Sequence, residues 1–136
     1  MTPIQMAKIH AAAFTKQRPW SEMEFATLIQ SKLVFIIANS QCFALGRTIA
    51  DEVELLTLAT DPEQRRRGHA QDCLDRFHHE ARARQASTSI LEVALDNQAA
   101  CRLYQNNRYN IVAERPDYYR RPNGQCVTAL IMSRAL

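Results

Sequence analysis

The sequence predicts a single α+β domain on a mixed, mostly antiparallel sheet, and three observations predict it. Apolar residues at helical spacing over 3–14 and a capping box at Ser21 mark two helices before three apolar or alternating runs parted by polar turns. After Asp61-Pro62 the helical period returns, and a strand, a short helix and two further strands follow. The order helix, helix, three strands, helix, strand, helix, two strands holds one strand–helix–strand crossover at its centre. That crossover should be right-handed and should make its two strands parallel.

Residues 3–14 read as the first helix, with Ile4, Ala7, Ala11 and Phe14 at helical spacing. Ser21 with Glu24 three residues later forms a capping box ahead of a second helix running to about Ser31, and the loop TKQRPW lies between. LVFIIAN, QCFALGRTIA and EVELLTLAT then read as the strands of an antiparallel meander. From about residue 68 to 84, Ala70, Cys73, Leu74, Phe77 and Ala81 set an apolar stripe along a helix. SILEVAL, residues 89–95, is a strand, and Asp96 and Asn97 are good N-caps for a short helix carrying Ala100, Leu103 and Tyr104. YNIVAERPDYY and CVTALIMSRAL close the chain as two strands joined by the turn RRPNG.

The 136 residues fit one domain spanning 1–136, with ordinary apolar (46%) and charged (23%) fractions for a soluble globular protein. No apolar run approaches the roughly 20 residues that span a bilayer, so no membrane association is expected. MTPIQMAKIHAAAF lacks the charged start, long apolar middle and cleavage site of a secretory signal, and a cytoplasmic location is expected. Cys42, Cys73, Cys101 and Cys126 form no C-x-x-C pair, which predicts reduced, mostly buried thiols. His78 and His79 are adjacent on a helix, point about 100° apart and do not suit joint ligation, so no metal is expected. A net charge of +3 and a pI of 8.8 mildly favour acidic partners. That falls short of the pI above ~9 typical of nucleic-acid domains, and direct nucleic-acid binding is not expected.

The stretch PEQRRRGHAQDCL carries one of only three glycines, between a strand and an amphipathic helix. A helix N-terminus presents unpaired N–H groups and a partial positive charge, so a tight turn entering one is a ready phosphate site. Gly68 and Ala70 leave the backbone amides of Arg66 to Gln71 approachable by a diphosphate, and arginine side chains can add charge-assisted contacts. Glu92 interrupts the apolar strand SILEVAL and shares a face with Ile90 and Ala94, a placement that asks for a chemical reason.

Arg65-Arg66-Arg67-Gly68-His69-Ala70 resembles the Q/R-x-x-G-x-G/A pyrophosphate loop of the GNAT family of acetyl-CoA-dependent N-acetyltransferases. The likeness runs through almost the whole chain and is greatest to the RimI-type group, whose members acetylate the N-terminal alanine of a small-subunit ribosomal protein. HAAAFTKQRPWSEMEF resembles that group's first two helices, and LTLATDPEQRRRGHAQDCLD its cofactor strand and loop. LEVALDNQAACRLYQNNRY is similar to its LEVRxxNxxAxxLYxxxGF block, and RPDYYRRPNG to its RxxYYxxxxG turn. The resemblance implies the GNAT fold, with the central parallel strands splayed apart to admit the pantetheine arm of acetyl-CoA and helices flanking the sheet.

It also implies roles. Acetyl transfer needs a neutral amine, a stabilised oxyanion and a protonated leaving thiol. Glu92 would accept the amine proton, through water, with Glu54 on the neighbouring strand as reserve base. Tyr104 would protonate the departing CoA sulfur, although an aromatic core residue beside Ala100 would also explain it. The backbone of Leu58, Ala59 and Thr60 would pair with pantetheine as an added strand. Arg66, Arg67, Gly68, His69, Ala70 and Gln71 would hold the diphosphate. Asn97 would contact the cofactor, with a plain N-cap as the alternative, and Tyr118 and Tyr119 would line the acceptor side unless they only pack.

The chain departs from the pattern in three places. Arg108 stands where glycine usually precedes the aromatic, so Asn107 is expected to take the left-handed conformation. Ala70 replaces the last glycine of the phosphate loop, and Thr128 stands where an Asp is frequent. The chain also begins at its first helix with no preceding strand. The acceptor implied is a protein N-terminus, that of a ribosomal protein foremost. A lysine side chain or small amine is the alternative within the family, and an arginine-patch nucleic-acid or ribosome-binding module the alternative outside it.

Overall fold

A computed structural model describes all of residues 1–136. The elements follow the expected order: α1 (Pro3–Ala13), α2 (Glu22–Ile29), β1 (Val34–Ala38), β2 (Cys42–Ile49), β3 (Glu52–Thr60), α3 (His69–Ala83), β4 (Thr88–Ala94), α4 (Gln98–Asn106), β5 (Asn110–Arg120) and β6 (Cys126–Ala135). Ser21 and Glu24 form the expected capping box. A second one starts α1, where Thr2 Oγ1 accepts from the Gln5 N–H at 3.3 Å and Gln5 Oε1 accepts from the Thr2 N–H at 2.8 Å.

The six strands form one sheet in the order β1-β2-β3-β4-β6-β5. Every neighbouring pair is antiparallel except β3 and β4, the parallel pair joined through α3. Helices α1 and α2 cover one face over Met6, Phe25, Phe43, Leu45 and Ala59. On the other face α3 buries Leu74, Phe77 and Ala81 against Phe35, Val53, Leu55 and Leu91. Its close approach depends on Gly46 in β2, where an added Cβ would lie 2.5 Å from Phe35 Cζ and 2.6 Å from Phe77 Cε2.

Two expectations need correction. Asn107 keeps a right-handed φ of −103°, and Arg108 takes the left-handed conformation at φ 70°. The Asn107 side chain is recruited elsewhere: its Nδ2 donates to Leu103 O at 2.7 Å and to Gln71 Oε1 at 2.9 Å, which holds the residue in the helical turn. The thiols are also less buried than expected, since Cys42 and Cys73 are buried, Cys101 is partly so and Cys126 is exposed.

The left-handed Arg108 carries strain that glycine would not. Arg108→Gly is therefore expected to raise stability by roughly 0.5–1 kcal/mol, the released strain being partly offset by a freer unfolded chain. A higher urea midpoint at unchanged slope is the measurement that checks it.

Candidate active site

The parallel pair is joined only at its start. Glu52 to Leu55 pair with Thr88 to Leu91, and there the ladder ends, although β3 continues to Thr60 and β4 to Ala94. A bulge helps part them: Leu45 pairs with Thr57 and Gly46 with Leu55, so Leu56 has no opposite number on β2 and the strand bends there. The β4 side of β3 from Leu56 to Thr60 is left as a free backbone edge. A cleft of about 1270 Å³ opens at this split.

Most of the residues singled out in the sequence line that one cleft. Leu58, Ala59, Thr60, Arg66, Gly68, His69, Ala70, Gln71, Asn97 and Tyr104 do so on the side of α3 and α4, and Glu54, Glu92, Tyr118 and Tyr119 line it elsewhere. Arg67 is the exception; its guanidinium turns aside and donates to Gln64 Oε1 at 3.0 Å.

At the turn, Arg66 (φ 63°) and Gly68 (φ 80°) are both left-handed. Gly68 is the N-cap of α3 and supplies no side-chain cap, and the first helical bond runs from the Asp72 N–H to Gly68 O at 3.0 Å. The N–H groups of residues 66–71 consequently have no acceptor within the chain. They sit at the positive end of the helix dipole. Apart from its chain neighbours, nothing lies within 4 Å of where a Cβ on Gly68 would be, so the space over this residue is open. Arg65 donates to Ala13 O at 3.4 Å, which leaves Arg66 the one guanidinium of the three without a partner in the chain. The Gln71 side chain is engaged with Asn107 and Asp75, so what it offers the seat is its amide.

Tyr104 is a core aromatic and a cleft residue at once. Its ring is buried and meets Tyr109 edge-on at 5.7 Å, while its hydroxyl makes no hydrogen bond within the chain. Burial pushes the phenol above its ordinary value, and it stays protonated across the working range. Asn97 is an N-cap as well, its Oδ1 accepting from the Ala100 N–H at 3.2 Å.

Glu92 projects from the face of β4 opposite Leu91 and Val93, on the side of the sheet that α1 and α2 cover. The Tyr119 O–H donates to its Oε1 at 2.8 Å, and Arg115 Nη1 lies 3.4 Å from Oε2. Burial first, then that bond to the carboxylate, raises the Tyr119 phenol above its usual value. Glu54 pairs with Arg47 at 2.8 Å. Tyr118 is half exposed, edge-on to Tyr119 at 5.2 Å and beneath the Arg115 guanidinium at 5.3 Å.

The structure adds residues that sequence reasoning missed. Arg121, read as part of a turn, is buried and bonds Asp96 twice, Nε to Oδ2 at 3.0 Å and Nη2 to Oδ1 at 2.5 Å. That bond holds the Asp96 carboxyl below its ordinary range. Arg121 Nη1 also reaches Lys16 O at 3.4 Å, tying the entry to α4, the β5–β6 turn and the α1–α2 loop together at the mouth. His10, Phe14 and Trp20 line the cleft from the segment that the sequence marked only as helix and loop. No three His, Cys, Asp or Glu side chains converge to share a metal ion, and no helix is long and apolar enough to cross a membrane.

Residues 6–108 match the family model described as Acetyltransferase (GNAT) family. The chain is 36% identical over 95 residues to the [Ribosomal protein bS18]-alanine N-acetyltransferase of Haemophilus ducreyi, covering 70% of this chain and 66% of that one. To the protein of the same name from Escherichia coli (strain K12) it is 30% identical over 141 residues, covering 98% of this chain and 95% of that one. Among solved structures, the ribosomal-protein-S18-alanine N-acetyltransferase from Escherichia coli superposes with a TM-score of 0.87 at 29% identity, over 98% of this chain and 86% of that one. Arabidopsis thaliana NAA60 in complex with acetyl-CoA shares the fold, with a TM-score of 0.80 at 16% identity over 98% of this chain and 93% of that one.

Proposed function

The chain belongs to the acetyltransferase (GNAT) family, and from that membership we propose that it transfers the acetyl group of acetyl-CoA to the N-terminal α-amine of a protein, a ribosomal protein foremost. The observation that carries the cofactor half is the run of unpartnered amides at residues 66–71, opening on the same cleft as the free edge of β3. Those amides, with Arg66 and the helix dipole, suit a diphosphate, and the Leu56–Thr60 edge suits an amide-bearing arm that adds as a strand. Acetyl-CoA supplies an acyl group activated as a thioester.

The chain's own groups do the rest. An N-terminal ammonium has an unperturbed pKa near 7.7–8.0, so only modest help is needed to neutralise it. Glu92 takes that proton through water, the approaching amine displacing the loose 3.4 Å contact with Arg115 while the Tyr119 phenol keeps the carboxylate in place. Tyr104 offers its unpartnered O–H to the departing sulfur, and main-chain N–H groups of the β3 edge polarise the thioester carbonyl. The ribosomal-protein acceptor is supported by the relatives, both named [Ribosomal protein bS18]-alanine N-acetyltransferase.

The test is acetyl-CoA with peptides that differ in their first residue, together with N-terminally blocked peptides bearing an internal lysine, read by mass. One added acetyl group on the free N-terminus of alanine-initiated peptides is the expected result. Glu92→Gln, assayed alongside, should be slower on the preferred peptide by about 10²-fold. Acetylation confined to the lysine peptides would replace the N-terminal reading with the side-chain one.

A further inference from the structure

We propose that His10 recognises the acceptor as an N-terminus, its Nε2–H donating to the first carbonyl oxygen of the acceptor peptide; this rests on the reading that the acceptor is a protein α-amine. His10 is only 1% exposed yet lines the cleft. Its Nδ1 accepts from the Trp20 main-chain N–H at 3.1 Å, which places the ring proton of the neutral imidazole on Nε2. That N–H has no acceptor within the chain. The sole side-chain nitrogen or oxygen sealed from the surface without a partner is Arg47 Nε, so the little surface that His10 keeps includes Nε2, in a residue that lines the cleft.

The ring is also fixed in direction. Trp20 stacks on it at 5.1 Å, Phe14 tilts against it at 4.4 Å and Phe25 meets it edge-on at 5.5 Å. Helix α1 packs on β3, so His10 and Glu92 lie on the same side of the sheet. Burial pulls the imidazole down to about 4, and near neutral pH it is an uncharged donor that does not repel an incoming ammonium.

A directed, uncharged donor in the cleft that Glu92 also lines asks for an acceptor oxygen close to the amine. An N-terminal residue supplies one, since its carbonyl carbon is attached to the carbon that bears the amine. A lysine side chain places four methylenes there instead. A site built to hydrogen-bond a substrate group discriminates against an analogue that lacks it, because the buried donor is then left unpaired.

The experiment compares an alanine-initiated peptide with the same peptide carrying a thioamide in place of its first carbonyl, a poor hydrogen-bond acceptor of nearly the same shape. The wild-type protein is expected to favour the oxygen peptide by roughly tenfold in kcat/KM. His10→Asn keeps an oxygen where Nδ1 accepts from Trp20 but loses the outer donor, and should treat the two peptides alike. His10→Gln keeps an N–H near Nε2 and should retain the preference, and both variants should leave the KM for acetyl-CoA unchanged. Wild-type indifference to the thioamide, or a full preference surviving in His10→Asn, overturns the role of His10. A wild-type protein that acetylates no N-terminus sinks the α-amine reading and this inference together. One that acetylates N-termini while His10→Asn keeps the preference sinks this inference alone.

Discussion

Gly68→Asp is expected to leave the fold as stable as the wild type to within about 1 kcal/mol while weakening CoA binding by at least about 10²-fold. The two halves of that result have separate causes. Aspartate tolerates the left-handed conformation of Gly68 better than most residues, and a Cβ there meets nothing within 4 Å. A carboxylate at an N-cap also suits the α3 dipole, which at present has no side-chain cap. The same carboxylate competes for the N–H groups that would hold the diphosphate and sets negative charge against negative charge. Calorimetric titration with CoA, beside a thermal melt, measures both halves. Wild-type heat of binding in the variant would mean that the diphosphate sits elsewhere.

Tyr104→Phe should act on the opposite half of the cycle, lowering kcat by roughly 10²-fold with the Kd for CoA unchanged. The hydroxyl has no partner in the chain, so its loss orphans nothing and the melting temperature should hold. The expected loss lies at the lower end of what general acids contribute, because a phenol raised above its ordinary value is a weak proton donor. A raised phenol keeps its proton past its ordinary value near 10, so the wild-type rate should show no fall from Tyr104 ionising below that pH. Rapid-quench single turnovers separate this step from binding, and an unaltered single-turnover rate would remove Tyr104 from the chemistry.

What the sequence made legible was local. The meander, the stripe of α3 and the turn at Gly68 each announce themselves within a dozen residues, through period, caps and small side chains. The parting of β3 and β4 was implied by family resemblance, and its physical basis, a ladder that stops at Leu55 and Leu91 beside a bulge, is pairing information that no single stretch carries. Residues whose partners are far along the chain were missed for the same reason. Asn107 stays helical because Gln71, 36 residues away, holds its side chain. Arg121 and Asp96 are each ordinary turn or cap residues until they are seen to face one another. Arg67 looked equivalent to Arg66 in sequence, and only the bond that Arg67 makes to Gln64 sets the two guanidinia apart.

The hydrogen bond from Arg121 to the Lys16 carbonyl joins residues 105 positions apart. The mouth of the cleft is therefore framed by segments far apart in the chain, and it is complete only once the β5–β6 hairpin has folded back against the α1–α2 loop. Because β6 lies between β4 and β5 and puts Leu130 and Met132 into the core, the step that frames that mouth is also the one that completes the sheet.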